Sequence, residues 1–481
     1  MINRNIALLL SFVLLMNGVS ILNAQNKKEQ AISPWSNGRL KVSDNHRFLQ
    51  YADGKPFFWL GETAWLLPSR SKREEVSYFM NETAKSGFNV VLVSVLHTIP
   101  AINSYGQLAL PDGFNFKHID KKGEYSYWQH VDFIVQQAKQ YGIYVGIVCV
   151  WGTPVKEGHV TIEDARKYGH FLAERYKKYP NIIWIIGGDT FGNDKKEVWE
   201  TLATTIKHYD PKHLMTFHPR GRTISSIWFD KDSWLDFNMF QSGHRRYGQQ
   251  PEDSLIPPNT EEDNWRYAER SLKTQPLKPV LDGEPSYEDI PQGLHDTTQP
   301  RWKARDVRRY AYWSVFAGSC GHTYGNNSTM QMYHLGYMPA FGADRPWYET
   351  IHDPGCLEMQ YIKDLMYAFP YFDRIPDQSV IVGRNGTQYY RVIATRSNDY
   401  ILVYNYTNTP MEIDMTKISG DKKNAWWFNP RNGALAYIGE FNNGKHVFVH
   451  DGGSFPGNDH VLIITDARTS YIQQDQEYIN K

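Results

Sequence analysis

Two apolar runs in this chain end in a carboxylate. Residues 180–194 read PNIIWIIGGDTFGND, in which the run stops at Gly187-Gly188-Asp189, and residues 278–284 read KPVLDGE, which stops at Glu284 just before Pro285. Two acids held by rigid strands on one rim suit the cleavage of a glycosidic bond. One protonates the leaving oxygen while the other stabilises or attacks the developing oxocarbenium carbon. Each acid also has a plainer reading. Asp189 fits an Asx turn after two glycines. Glu284 would be an idle carboxylate at the end of a buried strand, which is costly unless paired.

The elements that would hold these acids alternate regularly. Strands are predicted at 56–61, 89–95, 144–151, 182–188, 214–219, 236–241, 278–284 and 319–325. Helical patterns lie between most of them, with apolar residues returning at three- and four-residue spacing and Gly or Pro near each end. The strands are apolar on both faces, as expected when helices cover the outside and side chains fill the inside. Eight such units describe a (β/α)8 TIM barrel, an α/β fold. A doubly wound sheet is the alternative, but the number of units disfavours it and no Gly-x-Gly-x-x-Gly follows the first strand. From 376 to 481 short alternating segments separated by Asn, Asp and Gly turns predict an antiparallel β-sandwich domain. Residues 25–375 are read as the barrel, with GRLKVSDNHRFLQYADGKPF as an N-terminal β-hairpin on its bottom or side.

Residues at the C-terminal strand ends of such a barrel converge at its mouth. Glu62 and Trp65 follow strand 1, His97 strand 2, Trp151 strand 3 and Asp189 strand 4. His218 and Arg220 come with strand 5, Gln241 and His244 with strand 6, Glu284 and Tyr287 with strand 7, and His322 and Tyr324 with strand 8. Asp189 and Glu284 thus face one another across the mouth. Glu62 reads equally well as a substrate ligand and as a structural acid, and His218 as a ligand to the nucleophile or a satisfied core histidine. Trp65, Trp151, Tyr287 and Tyr324 have apolar faces suited to a sugar's C–H face, although each alone also suits the core. The four histidines make a zinc hydrolase the competing chemistry, but no compact ligand motif supports it. The reading invokes no cofactor and no metal.

The bulk properties narrow the class. Residues 1–24 carry Arg4, an apolar stretch and Ala24 at a cleavage point, the pattern of a signal peptide, which predicts an exported protein, periplasmic or at the cell surface. No later stretch is long and apolar enough to predict stable membrane insertion. The 52 basic and 52 acidic residues balance, so there is no electrostatic footprint for nucleic acid. Three widely spaced cysteines, Cys149, Cys320 and Cys356, form no disulfide framework and read as buried small hydrophobes. A monomer is the simplest expectation.

Six motifs in order, WLGETAW at 59–65, WIIGGD at 184–189, FHPRG at 217–221, NMFQSGH at 238–244, DGEPSYE at 282–288 and GHTYG at 321–325, together resemble the apiosidase-like glycoside hydrolases of gut Bacteroidetes. These are described as a barrel followed by a domain named for collagen binding, and the similarity spans essentially the whole mature chain. The resemblance implies a glycosidase acting on a plant cell-wall oligosaccharide, cleaving at or beside apiose in rhamnogalacturonan II side chains of pectin. The acid/base would correspond to Asp189 and the nucleophile to Glu284, with net retention. The larger barrel superfamily has Asn-Glu at the end of strand 4, where this chain has Gly188-Asp189. A related glycosidase with another plant polysaccharide as substrate, and a non-catalytic carbohydrate-binding protein, remain as alternatives.

Overall fold

The computed structural model describes residues 33–119, 123–249, 261 and 263–472. The signal peptide expected at 1–24 and the last nine residues of the expected sandwich range lie outside the described residues. Eight parallel strands form the barrel: β1 (Trp59–Thr63), β2 (Val90–Ser94), β3 (Tyr144–Val148), β4 (Ile182–Thr190), β5 (Met215–Pro219), β6 (Asn238–Gln241), β7 (Val280–Asp282) and β8 (Gly321–Tyr324). Hydrogen-bonded ladders join neighbouring strands in the order β5-β4-β3-β2-β1-β8-β7-β6, and a short antiparallel strand, Thr223–Ile224, lies on the outer edge of β6.

Closure between β5 and β6 combines one backbone bond with side-chain bonds in place of a regular ladder. The Asp236 amide donates to the Met215 carbonyl at 2.9 Å, and the Asp236 carboxylate accepts from the Met215 amide at 2.7 Å and from Lys207 at 2.6 Å. Thr216 Oγ1 donates to the Phe237 carbonyl at 2.7 Å. Long amphipathic helices, Arg73–Lys85, Tyr127–Gln140, Ile162–Tyr176, Lys196–Tyr209 and Ala304–Phe316, cover the outside. The first, third and fifth begin with a side chain at the third helical position that accepts from the backbone amide preceding the helix.

The N-terminal segment differs from the expected hairpin. It is a three-stranded antiparallel sheet, Leu40–Val42, Leu49–Tyr51 and Pro56–Phe57, and its last strand takes residues assigned from sequence to the start of β1. Phe57 and Trp35 pack edge-on against Tyr144, the first residue of β3, with centroids 5.3 and 4.9 Å away. The sheet therefore covers the bottom of the barrel and leaves the opposite end open.

The C-terminal region is a six-stranded antiparallel sheet joined by a two-stranded one, Met411–Asp414 with Lys445–Phe448. One face of the large sheet packs against the small sheet through Ile401, Val403, Ile413, Phe448 and Leu462. The other, with Leu402, Tyr404, Trp426 and Ile463, continues the barrel's own apolar core. The contact is made on helix Ala304–Phe316, whose Tyr312 ring stacks on Tyr404 at 4.7 Å. Among the described residues, no helix is long and apolar enough to cross a membrane.

Charged groups lock this contact. Arg308 makes a two-pronged pair with Asp459, Nε to Oδ2 at 3.0 Å and Nη2 to Oδ1 at 2.8 Å, and also binds Glu358. Asp459 also accepts from Arg431 Nη1 at 2.9 Å and Tyr404 Oη at 3.0 Å, and both Arg308 and Asp459 are buried. Removing one partner of a buried pair leaves the other charge uncompensated, which costs several kcal/mol. Asp459→Ala is expected to lower the stability of the whole chain by about 3 kcal/mol, because Arg308 keeps only Glu358. Denaturant unfolding followed by tryptophan fluorescence checks this, and an unchanged midpoint would show that the pair contributes nothing.

Candidate active site

The apolar run of β4 ends as it does because the chain leaves the sheet there. Gly187 pairs with His218 of β5, but the next pairing is Thr190 with Pro219, so Gly188 and Asp189 bulge out of the ladder. Gly187, Gly188 and Asp189 all have positive φ, 84°, 133° and 48°. A Cβ on Gly187 would lie 2.6 Å from the His218 carbonyl oxygen, and one on Gly188 would lie 2.7 Å from the Trp151 ring. Only glycine combines that backbone with that proximity. The bulge presents Asp189 to the mouth, where the residue is exposed but lies within the walls of the cavity. That enclosure, followed by the negative charge of Glu284, raises its pKa above the ordinary carboxylate value, while His218, Arg220 and the Gly221 amide pull more weakly the other way.

Glu284 sits just past β7 between two imidazoles. His244 Nε2 lies 3.1 Å from Oε1, and His218 Nε2 lies 3.3 Å from Oε2 in an off-axis contact. His218 Nδ1 accepts from the Asp189 amide at 3.3 Å, so in the neutral ring the proton resides on Nε2, facing the glutamate. Burial alone would push the Glu284 pKa up. The two histidines overcome it and bring the value down to about 2. Glu284 is therefore ionised at neutral pH, whereas the environment of Asp189 shifts its pKa the opposite way, upward.

The position of His244 is fixed by short bonds between the β6 and β7 loops. Ser242 Oγ donates to Asp282 at 2.7 Å, the Gly243 amide to the Glu284 carbonyl at 3.0 Å, and Ser286 Oγ to the Gly243 carbonyl at 2.8 Å. Asp282 is fully buried, and burial pushes its pKa up to about 8 against the hydrogen bonds from Ser242.

Both acids open into one cavity of about 450 Å³. Of the residues expected at the mouth from sequence, Trp65, His97, Trp151, Arg220, Gln241, His244 and Tyr287 line it with Asp189 and Glu284. His218 lies directly behind Glu284. Trp65, Trp151 and His218 pack as a cluster with centroids 5.3 to 5.9 Å apart, and His97 lies over Trp151 at 4.6 Å. Burial, then Arg70, lowers the His97 pKa to about 4 and keeps that ring neutral. Tyr287 packs edge-on against His244 at 4.9 Å.

Three expectations are corrected. Glu62, His322 and Tyr324 do not line the cavity but point outward from the barrel wall. Successive strand residues alternate between faces. Thr323 takes the inner face of β8, where its Oγ1 accepts from Trp59 Nε1 at 3.1 Å, so His322 and Tyr324 on either side of it turn toward the helices. His322 contacts Ser314 of the covering helix at 3.4 Å, and burial takes its pKa down to about 3. Tyr324 Oη donates to Glu288 at 2.6 Å. Glu62 lies in the same layer beside Cys356, 3.9 Å away, and burial, then Glu288, raises its pKa well above the usual range.

The structure also adds residues that the sequence did not single out. Arg70 and Arg222 line the cavity with Arg220 and Arg245, and the loops after β7 and β8 supply Ile290, Leu294, Met330 and Phe341. Arg246, adjacent in sequence, is not among the lining residues. Among the described residues, no group of three or more His, Cys, Asp or Glu is arranged to hold a metal ion.

Residues 43–373 match the model of the family described as "Apiosidase-like, catalytic domain". The chain belongs to the apiosidase-like family. Residues 375–465 match the model described as "Putative collagen-binding domain of a collagenase". A solved structure described as a glycoside hydrolase is 57% identical, with a TM-score of 0.90 over 91% of this chain and 99% of that one. A second, described as a glycoside hydrolase family 5 protein from Bacteroides vulgatus ATCC 8482, is 56% identical, with a TM-score of 0.91 over 92% of this chain and 97% of that one. No curated protein matches. This apiosidase-like protein is a glycoside hydrolase with a C-terminal accessory domain.

Two outcomes follow from the geometry. Gly188→Ala forces a methyl group into the Trp151 ring at a left-handed position, and is expected to displace Asp189 and lower kcat by at least about tenfold while the melting temperature falls only a few degrees. Unchanged turnover would show that the bulge does not set the position of the acid. His244→Ala removes one of the two groups that hold Glu284 ionised. The Glu284 pKa is therefore expected to rise from about 2, and the acidic limb of the kcat/KM profile to move to higher pH.

Proposed function

We propose that this enzyme cleaves an apiosidic bond in rhamnogalacturonan II side chains with net retention, Glu284 acting as nucleophile and Asp189 as acid/base. The observation that carries the reading is the opposed environment of the two carboxyls on one cavity. Two histidines keep Glu284 ionised, while enclosure and the Glu284 charge favour a proton on Asp189. In the first step Glu284 bonds to the anomeric carbon as the bond to the leaving oxygen breaks, and Asp189 gives that oxygen its proton. In the second, Asp189 takes a proton from water, the water oxygen bonds to the anomeric carbon, and Glu284 leaves as a carboxylate.

The apiosidic substrate rests on the family match and on the cavity's charge. Arg70, Arg220, Arg222 and Arg245 line it, and the planar guanidinium fork suits a uronate carboxylate beside the scissile bond. A second reading, a related β-glycosidase acting on another plant polysaccharide, is favoured by the family 5 description of the 56% identical structure. With residues 1–24 read as an export signal, the substrate is met outside the cytoplasm.

The test is incubation of the full protein with rhamnogalacturonan II side-chain oligosaccharides, β-mannan and β-glucan, with products identified by mass spectrometry and the first-formed anomer by NMR. Release of apiose or of a fragment cut beside it with retained configuration, falling at least about 1,000-fold in Glu284→Ala and strongly in Asp189→Ala, is expected. Cleavage of mannan or glucan alone by the same two carboxyls would establish the second reading. Full activity in Glu284→Ala would overturn both.

A further inference from the structure

The loop after β8 does more than roof the cavity. Its base is pinned by Gln331, whose amide group donates to the Ala340 carbonyl at 3.1 Å and accepts from the Ala340 amide at 2.8 Å, and by Asn327, which donates to the Phe341 carbonyl at 2.9 Å. Between these anchors the loop lifts apolar side chains into solvent: Tyr337 is 45% and Met338 87% exposed. Tyr337 stands next to a residue of the cavity wall. Arg70, a lining residue, lies over its ring at 5.7 Å and donates to the Gln331 carbonyl at 3.0 Å.

Aromatic rings continue outward from that point. His334 packs on Tyr337 at 5.1 Å, accepts from Trp347 Nε1 at 3.2 Å and lies 6.3 Å from Tyr348. Trp347 in turn contacts Tyr348 and Tyr78, both at 6.0 Å. Tyr348 and Tyr78 are each 42% exposed, whereas Trp347 beneath them is buried. The strip thus runs through three half-exposed tyrosines, from Tyr337 beside the cavity-lining Arg70 to Tyr348 and Tyr78 over the buried Trp347.

We infer that this strip is a distal glycan-binding track, with Tyr337 as its first platform, that holds the sugars of the substrate lying beyond the two that flank the scissile bond. Tyrosine offers a flat apolar face to sugar C–H groups and a hydroxyl at its edge to sugar hydroxyls. Continuity with the cavity through Arg70 and Gln331 identifies the occupant as the remainder of the chain being cut. The inference rests on the glycosidase reading of Asp189 and Glu284 and adds to it a preference for longer substrates.

The test compares wild type, Tyr337→Ala, Tyr337→Phe and Tyr348→Ala on the longest oligosaccharide that wild type cleaves in the panel above, and on the same substrate trimmed to the two sugars flanking the scissile bond. Tyr337→Ala is expected to lower kcat/KM on the long substrate about three- to tenfold, mainly through KM, and to leave the trimmed one unchanged. Tyr348→Ala should act in the same direction, and Tyr337→Phe should keep most of the activity. Equal losses on both substrates, or none on either, would overturn the track while leaving the glycosidase reading intact. No cleavage of any glycan by wild type would remove that reading, and the track with it.

Discussion

The site depends on one constraint: a carboxylate must stay ionised after most of its water has been removed. Glu284 is enclosed at the barrel mouth, and enclosure alone favours the neutral acid. His218 and His244, one on each carboxylate oxygen, reverse that preference. Much of the surrounding architecture serves to hold these two rings. His218 is carried by β5, with its Nδ1 fixed by the Asp189 amide. His244 lies on a loop bonded to the β7 segment through Ser242, Gly243 and Ser286. His218 thus connects to both acids, through its ring to Glu284 and through the backbone amide to Asp189, so the two carboxyls are positioned by a shared part.

Asp189 has to meet the opposite requirement in the same cavity. Its position comes from the double-glycine bulge, which breaks the β4 ladder for two residues and restores it at Thr190. Placed there, it is exposed but lies within the walls of the cavity, and near enough to Glu284 for that charge to favour its proton. An aspartate on a bulge in place of a longer acid on a regular strand is one way to bring a carboxyl to the reacting bond. The backbone supplies reach that the side chain lacks.

The barrel was legible because its strands and helices carry strong periodic signals, and the acids because each ends an apolar run at a strand terminus. The two-residue pleat governs the strand ends as well. His322 and Tyr324 flank Thr323, and once Thr323 faces inward neither neighbour can, a constraint already available from the two-residue period. Glu62 is misplaced for a related reason, since it lies outside the wall with Tyr324 and Glu288. Arg70, Arg222 and the roof residues from the loops after β7 and β8 left no periodic trace, because irregular chain converges only through tertiary packing. Arg308 carries no sequence signal that separates it from its neighbours Arg305 and Arg309. Only the docked β-sheet, with Asp459 buried against it, shows that the helix is covered on that side.

The most direct measurement of the central claim is an infrared difference titration of the two carboxyls, comparing wild type with Glu284→Gln and with Asp189→Asn in the ligand-free protein. The signal lost in Glu284→Gln should titrate near pH 2, and the signal lost in Asp189→Asn should titrate above the ordinary aspartate range. The reverse order, with Glu284 protonated at neutral pH and Asp189 fully ionised well below it, would contradict the assignment of nucleophile and acid.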